Sequence, residues 1–327
     1  MSWGANATLP AEPVSLEEVR AARDRIAGSA VRTPLIRLDV EGAPAEIYLK
    51  LENLQPIGSF KIRGAANVMG LADPKELARG VYTASAGNMA QGVAWAAREA
   101  GVPATIVVPD HAPSTKLAAI ERLGGRVIKV PFEAWWQAIE EGRFAGADGL
   151  FVHPVQNELV MAGNGTIGLE LVDDLEEFDT VLIPWGGGGL TVGIASAVKA
   201  LRPDVRIVPV EPETGAPLAA SLAAGSPQGV EYRPSFVDGS GSRAILPPMW
   251  EAAQGLLDGS EVATIEETAG ALRLLAERAR VVAEGAGALA AAVALSGRAG
   301  EGRIVCIVSG GNIDSDKLAT ILRGEIP

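Results

Sequence analysis

Short apolar runs alternate with alanine-rich segments along most of this chain. Four of these runs, "TIVV", "TVLI", "RIVPV" and "RIVCIV", are rich in β-branched side chains and are followed by turn-forming glycine or proline residues. Continuous apolar runs of this length are typical of parallel strands buried on both faces, and the alanine-rich segments between them predict crossover helices. The pattern therefore predicts an α/β fold.

The number of strand–helix units indicates more than one sheet. The first predicted helix, "SLEEVRAARDRI", begins in a capping-box pattern at Ser15 and Glu18 and ends before Gly28, and further units follow up to "GRIVCIVSGGN". Because a single compact sheet would not accommodate them, we expect two αβ lobes with parallel twisted sheets. Ligands of such folds bind at the carboxyl ends of the strands, which predicts a site in the cleft between the lobes.

Composition narrows the classes of partner. The chain has 327 residues, of which 48% are apolar, and a net charge of −12 from 28 basic and 40 acidic residues. That charge would repel a phosphate backbone, so no nucleic-acid partner is expected. The first residues lack a secretory signal, and the longest apolar run, "AGALAAAVAL", is too short to span a bilayer. We therefore predict a cytoplasmic protein without a membrane partner.

Few residues are available for metal or thiol chemistry. The single cysteine, Cys306, lies within "RIVCIVSGG" and is expected to be a core residue of a buried strand. His111 and His153 are the two imidazoles, and with one thiol they cannot assemble a usual zinc site. A nucleophile elbow for a Ser-His-Asp triad is also missing from the sequence.

A glycine-rich loop predicts an anion site. The stretch "PWGGGGLTVG", Pro184 to Gly193, follows a predicted strand and opens a helix, so its backbone N–H groups can converge on a phosphate. The alternatives are a glycine loop that only permits a tight turn, and a dinucleotide site in which Glu211 binds the ribose. The dinucleotide fingerprint fails, because its third glycine would fall on Thr191 or Val192.

Lys61 is the candidate nucleophile. It lies in "GSFKIRGA" at a predicted strand-to-helix junction, and a partly desolvated lysine reacts readily with aldehydes. A solvated lysine at a helix start is the alternative. Two more loops, "SAGNMAQG" and "SGGN", also follow predicted strands. An amine, a phosphate cradle, an amide and a hydroxyl together match the needs of pyridoxal phosphate.

Four motifs in order carry a family resemblance. "SFKIRGA", "SAGNMAQG", "GGGGL" and "SGGN", within residues from about 15 to 320, resemble the pyridoxal-phosphate enzymes of fold type II, which have the tryptophan synthase β-like fold. Within these enzymes they resemble the threonine/serine dehydratase and serine racemase family. The resemblance implies that the cofactor binds in the cleft between a large domain, residues 1–72 and 158–327, and a small domain, residues 73–157. It also implies a homodimer.

The resemblance implies a role for each motif residue. Lys61 would form the Schiff base, Phe60 would pack on the ring, Asn88 would bond the ring hydroxyl, and Ser309 would face the ring nitrogen, with Glu284 nearby. Core packing, a helix cap, a turn and a helix-start acid are the alternative explanations for Phe60, Asn88, Ser309 and Glu284, respectively. The implied phosphate site comprises Gly186, Gly187, Gly188, Gly189 and Leu190, and the implied substrate-carboxylate site Ser85, Ala86, Gly87, Asn88 and Met89.

The implied reaction is a β-elimination on a β-hydroxy amino acid such as threonine or serine. Lys61 would take the Cα proton, the β-hydroxyl would leave, and hydrolysis would give a 2-oxo acid and ammonia. A hydroxyl partner such as Ser309 does not protonate the ring nitrogen, which favours loss of the β-hydroxyl. The alternatives are β-replacement, threonine synthesis or racemisation on the same fold, and a nucleotide-binding module without this cofactor.

Several residues depart from the family pattern. The family usually has histidine at Met89, glutamine at Asn164, and phenylalanine or asparagine at Val155, and this chain adds Trp135 and Trp136. These changes replace polar groups with apolar surface, so we hypothesise that a bulkier substrate such as phenylserine is accepted.

Two further departures bear on racemisation and metal binding. Racemases of the family have a serine where this chain has Ala86, so we expect little racemisation. Some relatives bind Mg²⁺ or Ca²⁺ through a carboxylate at the position of Glu211, a carbonyl at Gly215 and a carboxylate at Pro217. Pro217 lacks that group, so no metal site is expected, although Glu213 is available to compensate.

Overall fold

Ten strands form two sheets within residues 13–327, which the computed structural model describes. The prediction about a secretory signal concerns residues that lie mostly outside this range. The larger sheet has the order β1-β2-β10-β7-β8-β9 and comprises β1 (Leu35–Arg37), β2 (Glu46–Lys50), β7 (Thr180–Pro184), β8 (Arg206–Pro212), β9 (Glu261–Ala263) and β10 (Arg303–Ile307). The smaller sheet has the order β5-β4-β3-β6 and comprises β3 (Val81–Ala84), β4 (Ala104–Pro109), β5 (Gly125–Val130) and β6 (Leu150–Phe151).

Helices connect and cover both sheets. They are α1 (Leu16–Ile26), α2 (Lys61–Leu71), α3 (Pro74–Leu77), α4 (Asn88–Ala100), α5 (Ser114–Arg122), α6 (Phe132–Glu141), α7 (Glu158–Asp174), α8 (Gly189–Leu201), α9 (Pro217–Ala224), α10 (Pro247–Ala253), α11 (Ile265–Leu274), α12 (Gly285–Ser296) and α13 (Ser315–Leu322). A 3₁₀ turn, Glu52–Leu54, precedes α2, and a π turn, Leu275–Ala279, follows α11. None of the described helices is long and apolar enough to cross a bilayer.

The strands are parallel, as predicted, with one exception. β1 pairs antiparallel with β2 at the edge of the larger sheet, which corrects the expectation of purely parallel sheets. The segment between these two strands is too short to contain the crossover helix that a parallel pair requires, so the chain can only turn back on itself. All four strands of the smaller sheet lie between residues 73 and 157, but the domain boundaries themselves stay a prediction.

The central strands are buried on both faces, which explains their continuous apolar sequence. All five residues of β7 are buried, and so are the last four of β10. Cys306 in β10 is fully buried, as predicted, and burial raises the pKa of its thiol. Because helices cover both faces of each sheet, the ends of the strands remain as the place for a site.

A buried charge cluster lies behind the start of α2. The Arg63 guanidinium donates to both Glu52 carboxylate oxygens at 2.8 Å and to both Glu170 oxygens at 2.7 and 2.9 Å. Lys50 is also fully buried and pairs with Glu170 at 2.7 Å. Burial alone would raise the pKa of Glu52, but the Arg63 charge and hydrogen bonds outweigh burial and hold that pKa below its usual range.

This cluster positions α2. Arg63 lies in the first turn of α2, Glu52 in the 3₁₀ turn before it, and Glu170 in α7. The fork of the guanidinium bonds two carboxylates at once, and such a pairing tolerates little displacement of either element. The contacts therefore fix where α2 begins, and Lys61 is its first residue.

Replacing Arg63 with methionine should strongly destabilise the fold. The substitution leaves the Glu52 and Glu170 carboxylates buried without their main partner, and breaking a buried pair in this way costs about 3–5 kcal/mol. The free energy of unfolding in urea measures the loss. Arg143→Ala, which removes an exposed arginine paired with Glu141, is the control and should cost less than about 1 kcal/mol. Equal effects of the two substitutions would contradict the assigned role of the cluster.

Candidate active site

One cavity of about 500 Å³ lies between the carboxyl ends of the two sheets. The segments after β3, β4, β5 and β6 of the smaller sheet contribute to its lining, and so do the loops after β7 and β10 of the larger sheet. The structure brings every site residue predicted from the sequence to this cavity, namely Phe60, Lys61, Ser85, Ala86, Gly87, Asn88, Met89, Gly186, Gly187, Gly188, Gly189, Leu190, Glu284 and Ser309. Their location is therefore shown, whereas their roles stay predictions.

Lys61 projects its amine into this cavity. The Nζ atom donates to the Pro154 carbonyl at 3.0 Å and lies 5.0 Å from the centre of the Phe60 ring. Burial lowers the pKa of Lys61 to about 8, and the nearby Glu284 carboxylate opposes part of that shift. A usable fraction of the amine is therefore uncharged near neutral pH, as a nucleophile or a general base requires.

At two positions of the glycine loop between β7 and α8, any residue other than glycine would clash with a neighbouring side chain. Gly188 has φ +94°, and a Cβ atom there would lie 2.6 Å from the Trp185 ring. A Cβ on Gly187 would lie 2.5 Å from a methyl group of Val155. The loop ends at Gly189, where α8 begins, so N–H groups without intrahelical partners lie at the cavity.

A chain of side-chain hydrogen bonds joins the two sheets across the cavity. The Asn312 Nδ2 group donates to the Ile57 carbonyl at 2.9 Å and to Asn88 Oδ1 at 2.8 Å. Asn88 Nδ2 in turn donates to Glu284 Oε1 at 2.7 Å. These partners fix the orientation of the Asn88 amide, because its oxygen accepts on one side and its nitrogen donates on the other. Asn312 belongs to the "SGGN" motif, but its positioning role was not predicted.

Glu284 has an altered acidity. It precedes α12, and burial raises its pKa to about 7, with the Asp238 carboxylate adding to the rise. The hydrogen bond from Asn88 and the charge of Lys116 oppose this shift. The Glu284 carboxyl group therefore changes protonation state close to neutral pH, beside the lysine whose pKa is also shifted.

His153 is a positioning residue that the sequence analysis missed. Its Nε2 lies 3.2 Å from the Ile139 carbonyl, and its Nδ1 accepts from the N–H groups of Val155 and Gln156 at 3.0 and 2.9 Å. A carbonyl only accepts, so Nε2 carries the proton and the ring is neutral. Burial lowers the pKa of His153 to about 4, and the Lys61 charge adds to that shift. The ring thereby fixes Pro154 and Val155 against Lys61 and the glycine loop.

The residues that depart from the family pattern lie in different places. Met89, Val155 and Trp135 line the cavity, as the bulky-substrate hypothesis requires. Trp136 is not among the lining residues; it is 41% exposed, and its indole N–H donates to Glu140. Asn164 is buried beneath the glycine loop, where it donates to the Gly189 carbonyl at 3.2 Å. Trp136 and Asn164 therefore add no apolar surface to the cavity, contrary to the hypothesis made for them from the sequence.

Glu211 is engaged in a helix cap. Its two carboxylate oxygens accept from the N–H groups of Leu218 and Ala219 at 3.0 and 2.8 Å, at the start of α9. Glu213 accepts from the N–H of Ile265 at 2.8 Å, which occupies one of its oxygens too. Residues 13–327 contain no cluster of three or more potential metal-binding side chains. The expected weakness of any metal dependence stays a prediction.

Comparison with known proteins identifies the family. The model of the pyridoxal-phosphate dependent enzymes matches residues 26–310. The chain belongs to this family. It is 41% identical to the L-threonine ammonia-lyase of Thermotoga maritima over 315 residues, which cover 94% of this chain and 78% of that protein.

Solved structures agree with the predicted fold. Maize serine racemase has a TM-score of 0.83 and 32% identity, with 95% of this chain and 98% of that chain covered. A threonine deaminase from T.th. has a TM-score of 0.80 and 35% identity, with 92% of this chain and 99% of that chain covered. The predicted fold type II architecture and the predicted cofactor are confirmed.

The residues that line the cavity also fit pyridoxal phosphate, independently of the comparison with known proteins. Side chains at Gly187 and Gly188 would collide with Val155 and Trp185, so bare backbone is retained where a phosphate would approach. The Lys61 amine, the Asn88 amide and the Ser309 hydroxyl line the same space. This set supplies a primary amine for the aldehyde, an anion cradle and polar partners for the ring.

Replacing Glu284 with glutamine should lower the pKa of Lys61 further. The carboxylate stabilises the ammonium form, so its removal leaves burial unopposed. The pH dependence of the rate at which cofactor-free protein recaptures pyridoxal phosphate, followed by visible absorbance, measures this pKa. The midpoint should move to lower pH in Glu284→Gln and stay in place in Glu41→Gln, which changes an exposed carboxylate away from the cavity. A midpoint that stays in place or rises in Glu284→Gln would contradict the assigned stabilisation of the Lys61 ammonium by Glu284.

Proposed function

We propose that this protein is an ammonia-lyase that converts a β-hydroxy amino acid to a 2-oxo acid and ammonia. The observation that carries the proposal is the placement of the Lys61 amine, with a pKa of about 8, in one cavity with a glycine loop and a helix start. The names of the relatives, threonine ammonia-lyase and threonine deaminase, support elimination from threonine or serine.

The cofactor would be held by residues from both sheets. Gly186, Gly187, Gly188, Gly189 and Leu190 would bind its phosphate, and Lys61 would bind its aldehyde carbon covalently. Phe60 would pack on the ring, and the second N–H of the Asn88 amide would donate to the ring hydroxyl. When bound, pyridoxal phosphate supplies an electron-accepting ring that takes up the negative charge developing at the substrate's Cα.

The substrate carboxylate would bind at the start of α4. Ser85, Ala86 and Gly87 form the turn before this helix, and the Ser85 hydroxyl accepts from the N–H of Gly87 at 3.3 Å. The first N–H groups of α4 have no intrahelical partners, and the positive end of the helix favours an anion. A carboxylate bound there would place the Cα proton in the same cavity as the Lys61 amine.

Lys61 would move the proton in the reaction. With its amine free in the cavity, Lys61 would accept the Cα proton, and its pKa of about 8 suits a base working near neutral pH. The Cα–H bond would break and a double bond would form between Cα and Cβ, while the hydroxyl would leave Cβ as water by taking up the proton that Lys61 had accepted from Cα. Hydrolysis of the released enamine consumes one water and gives the 2-oxo acid and ammonia.

Ser309 would direct the charge toward elimination. The residue is buried in the loop after β10, and its carbonyl accepts from the N–H of Phe60 at 3.0 Å, which holds it beside Lys61. A neutral hydroxyl facing the ring nitrogen does not supply a full proton, as a carboxylic acid would. The negative charge that develops at Cα would then be removed by loss of the β-hydroxyl.

Assembly and location stay predictions. A homodimer is supported by three exposed apolar side chains, Val31, Leu54 and Val282, on loops that hydrogen-bond to one another through Gln55 and Asn53. The cytoplasmic location stays the prediction made from the sequence.

Lys61→Ala should abolish both the visible absorbance of the bound cofactor and the release of 2-oxo acid from threonine or serine. No other amine is free to replace it among the described lining residues, because Lys116 is paired with Asp238 at 2.9 Å. Lys116→Ala is therefore the matched control and should keep the absorbance. Lys50, which lies in the buried charge cluster, is not among the lining residues. Absorbance that survives Lys61→Ala and is lost in Lys116→Ala would refute the site assignment.

Racemisation should be slow despite the likeness to serine racemase. Ala86 lines the cavity beside Ser85, and its methyl group cannot deliver a proton to the opposite face of Cα. Chiral analysis of L-serine incubated in deuterated water should show 2-oxo acid formation and little D-serine. Rapid formation of deuterated D-serine would point to racemisation as the main reaction.

A further inference from the structure

An aromatic rim forms the outer wall of the cavity. It comprises His111, from the loop after β4, and Phe132 and Trp135, from the start of α6 after β5. The ring centres of His111 and Phe132 are 6.0 Å apart, and those of Phe132 and Trp135 are 5.5 Å apart. These separations are those of aromatic side chains in direct contact.

The rim leaves apolar surface open to the cavity. Phe132 is 46% exposed although it contacts two other aromatic rings. Between the rim and the start of α4 the lining is also apolar, with Met89, Ala112 and Pro113. A single exposed phenylalanine needs no explanation, but an aromatic cluster together with several apolar residues in the lining of one reaction cavity favours a ligand that covers them.

The strand order sets the distance between the rim and the carboxylate site. In the order β5-β4-β3-β6, the carboxylate site follows β3 and Phe132 follows β5, two strands away. Neighbouring strands lie about 4.8 Å apart, so the two strand ends are separated by roughly 10 Å. The methyl group of threonine ends well short of that distance, whereas an aryl group on Cβ is long enough to approach the rim.

The charges of the cavity disfavour a charged substrate side chain. Lys116 is neutralised by Asp238 at 2.9 Å, and Lys317 adds a second, longer contact to Asp238 at 3.8 Å. An acidic side chain would approach the carboxylates of Asp238 and Glu284. A basic side chain would have to lie on the apolar rim.

We propose that the aromatic rim selects β-hydroxy amino acids whose β-carbon carries an aromatic or large apolar group, with Phe132 and Trp135 as specificity-determining residues. The proposal rests on the β-elimination proposed above and names its substrate class. Burial of an aryl group against Phe132 and Trp135 removes apolar surface of both partners from water, which a methyl group does only in small part.

The test compares kcat/KM for phenylserine and threonine in the holoenzyme, followed by 2-oxo acid release. The wild-type enzyme should prefer phenylserine by about tenfold or more, equal to ~1.4 kcal/mol in the transition state. Phe132→Ala and Trp135→Ala should each remove most of that preference through a higher KM for phenylserine, with kcat/KM for threonine changed less than about threefold.

Trp136→Ala is the matched control. Trp136 neighbours Trp135 in α6, but it is not among the residues that line the cavity, so its removal should leave the ratio of the two kcat/KM values unchanged. Of the two rim variants, Phe132→Ala should disturb the fold less, because the exposed Phe132 side chain contributes less to the core than Trp135 does. It therefore keeps the test valid if Trp135→Ala fails to fold. A wild-type preference for threonine, or equal losses for both substrates in the rim variants, would overturn the proposal.

A binding measurement tests the aromatic rim independently of the proposed β-elimination. L-Phenylalanine and L-2-aminobutyrate lack the β-hydroxyl leaving group, and their binding can be followed through the visible spectrum of the cofactor. Tighter binding of phenylalanine that is lost in Phe132→Ala would support the rim even if no β-hydroxy amino acid released 2-oxo acid. Equal binding of both amino acids would overturn the rim proposal even if threonine were an efficient substrate.

Discussion

The Arg63 guanidinium, buried between the carboxylates of Glu52 and Glu170, is the interaction on which the active site depends. It joins the 3₁₀ turn, α2 and α7, and leaves none of these elements free to shift without separating buried charges. Lys61 lies within one helical turn of these contacts, at the first position of α2. A rigid amine position is needed because a displaced base loses most of its effect on the Cα proton.

The two sheets each supply half of the site, and hydrogen bonds hold the halves together. Asn312 follows β10 in the larger sheet, and Asn88 opens α4 after β3 in the smaller one. Glu284 completes the chain from the start of α12. Since the carboxyl ends of parallel strands lie at one edge of a sheet, bringing two such edges together concentrates loops, helix starts and backbone N–H groups in one cavity.

Burial acts on the two ionisable groups of the site in opposite directions. It lowers the pKa of Lys61 to about 8 and raises the pKa of Glu284 to about 7, because it disfavours the charged form of each. The Glu284 carboxylate opposes the shift of Lys61 only while it is ionised. The cavity thus holds an amine and a carboxyl group that both exchange protons near neutral pH, which suits proton transfer at Cα.

The sequence by itself determined the local units: Lys61 at a helix start, the glycine loop after β7 and the "SGGN" motif after β10 each follow from a short apolar run and its turn. The antiparallel edge strand, the role of His153, and the fact that Trp135 but not Trp136 lines the cavity were decided only by the tertiary structure. A strand, a turn and a helix start are fixed by neighbouring residues, which the sequence displays directly. Asn312 and Asn88 lie 224 positions apart, and His153 and Ile139 lie in different elements, so only packing brings the atoms of each pair within hydrogen-bond distance.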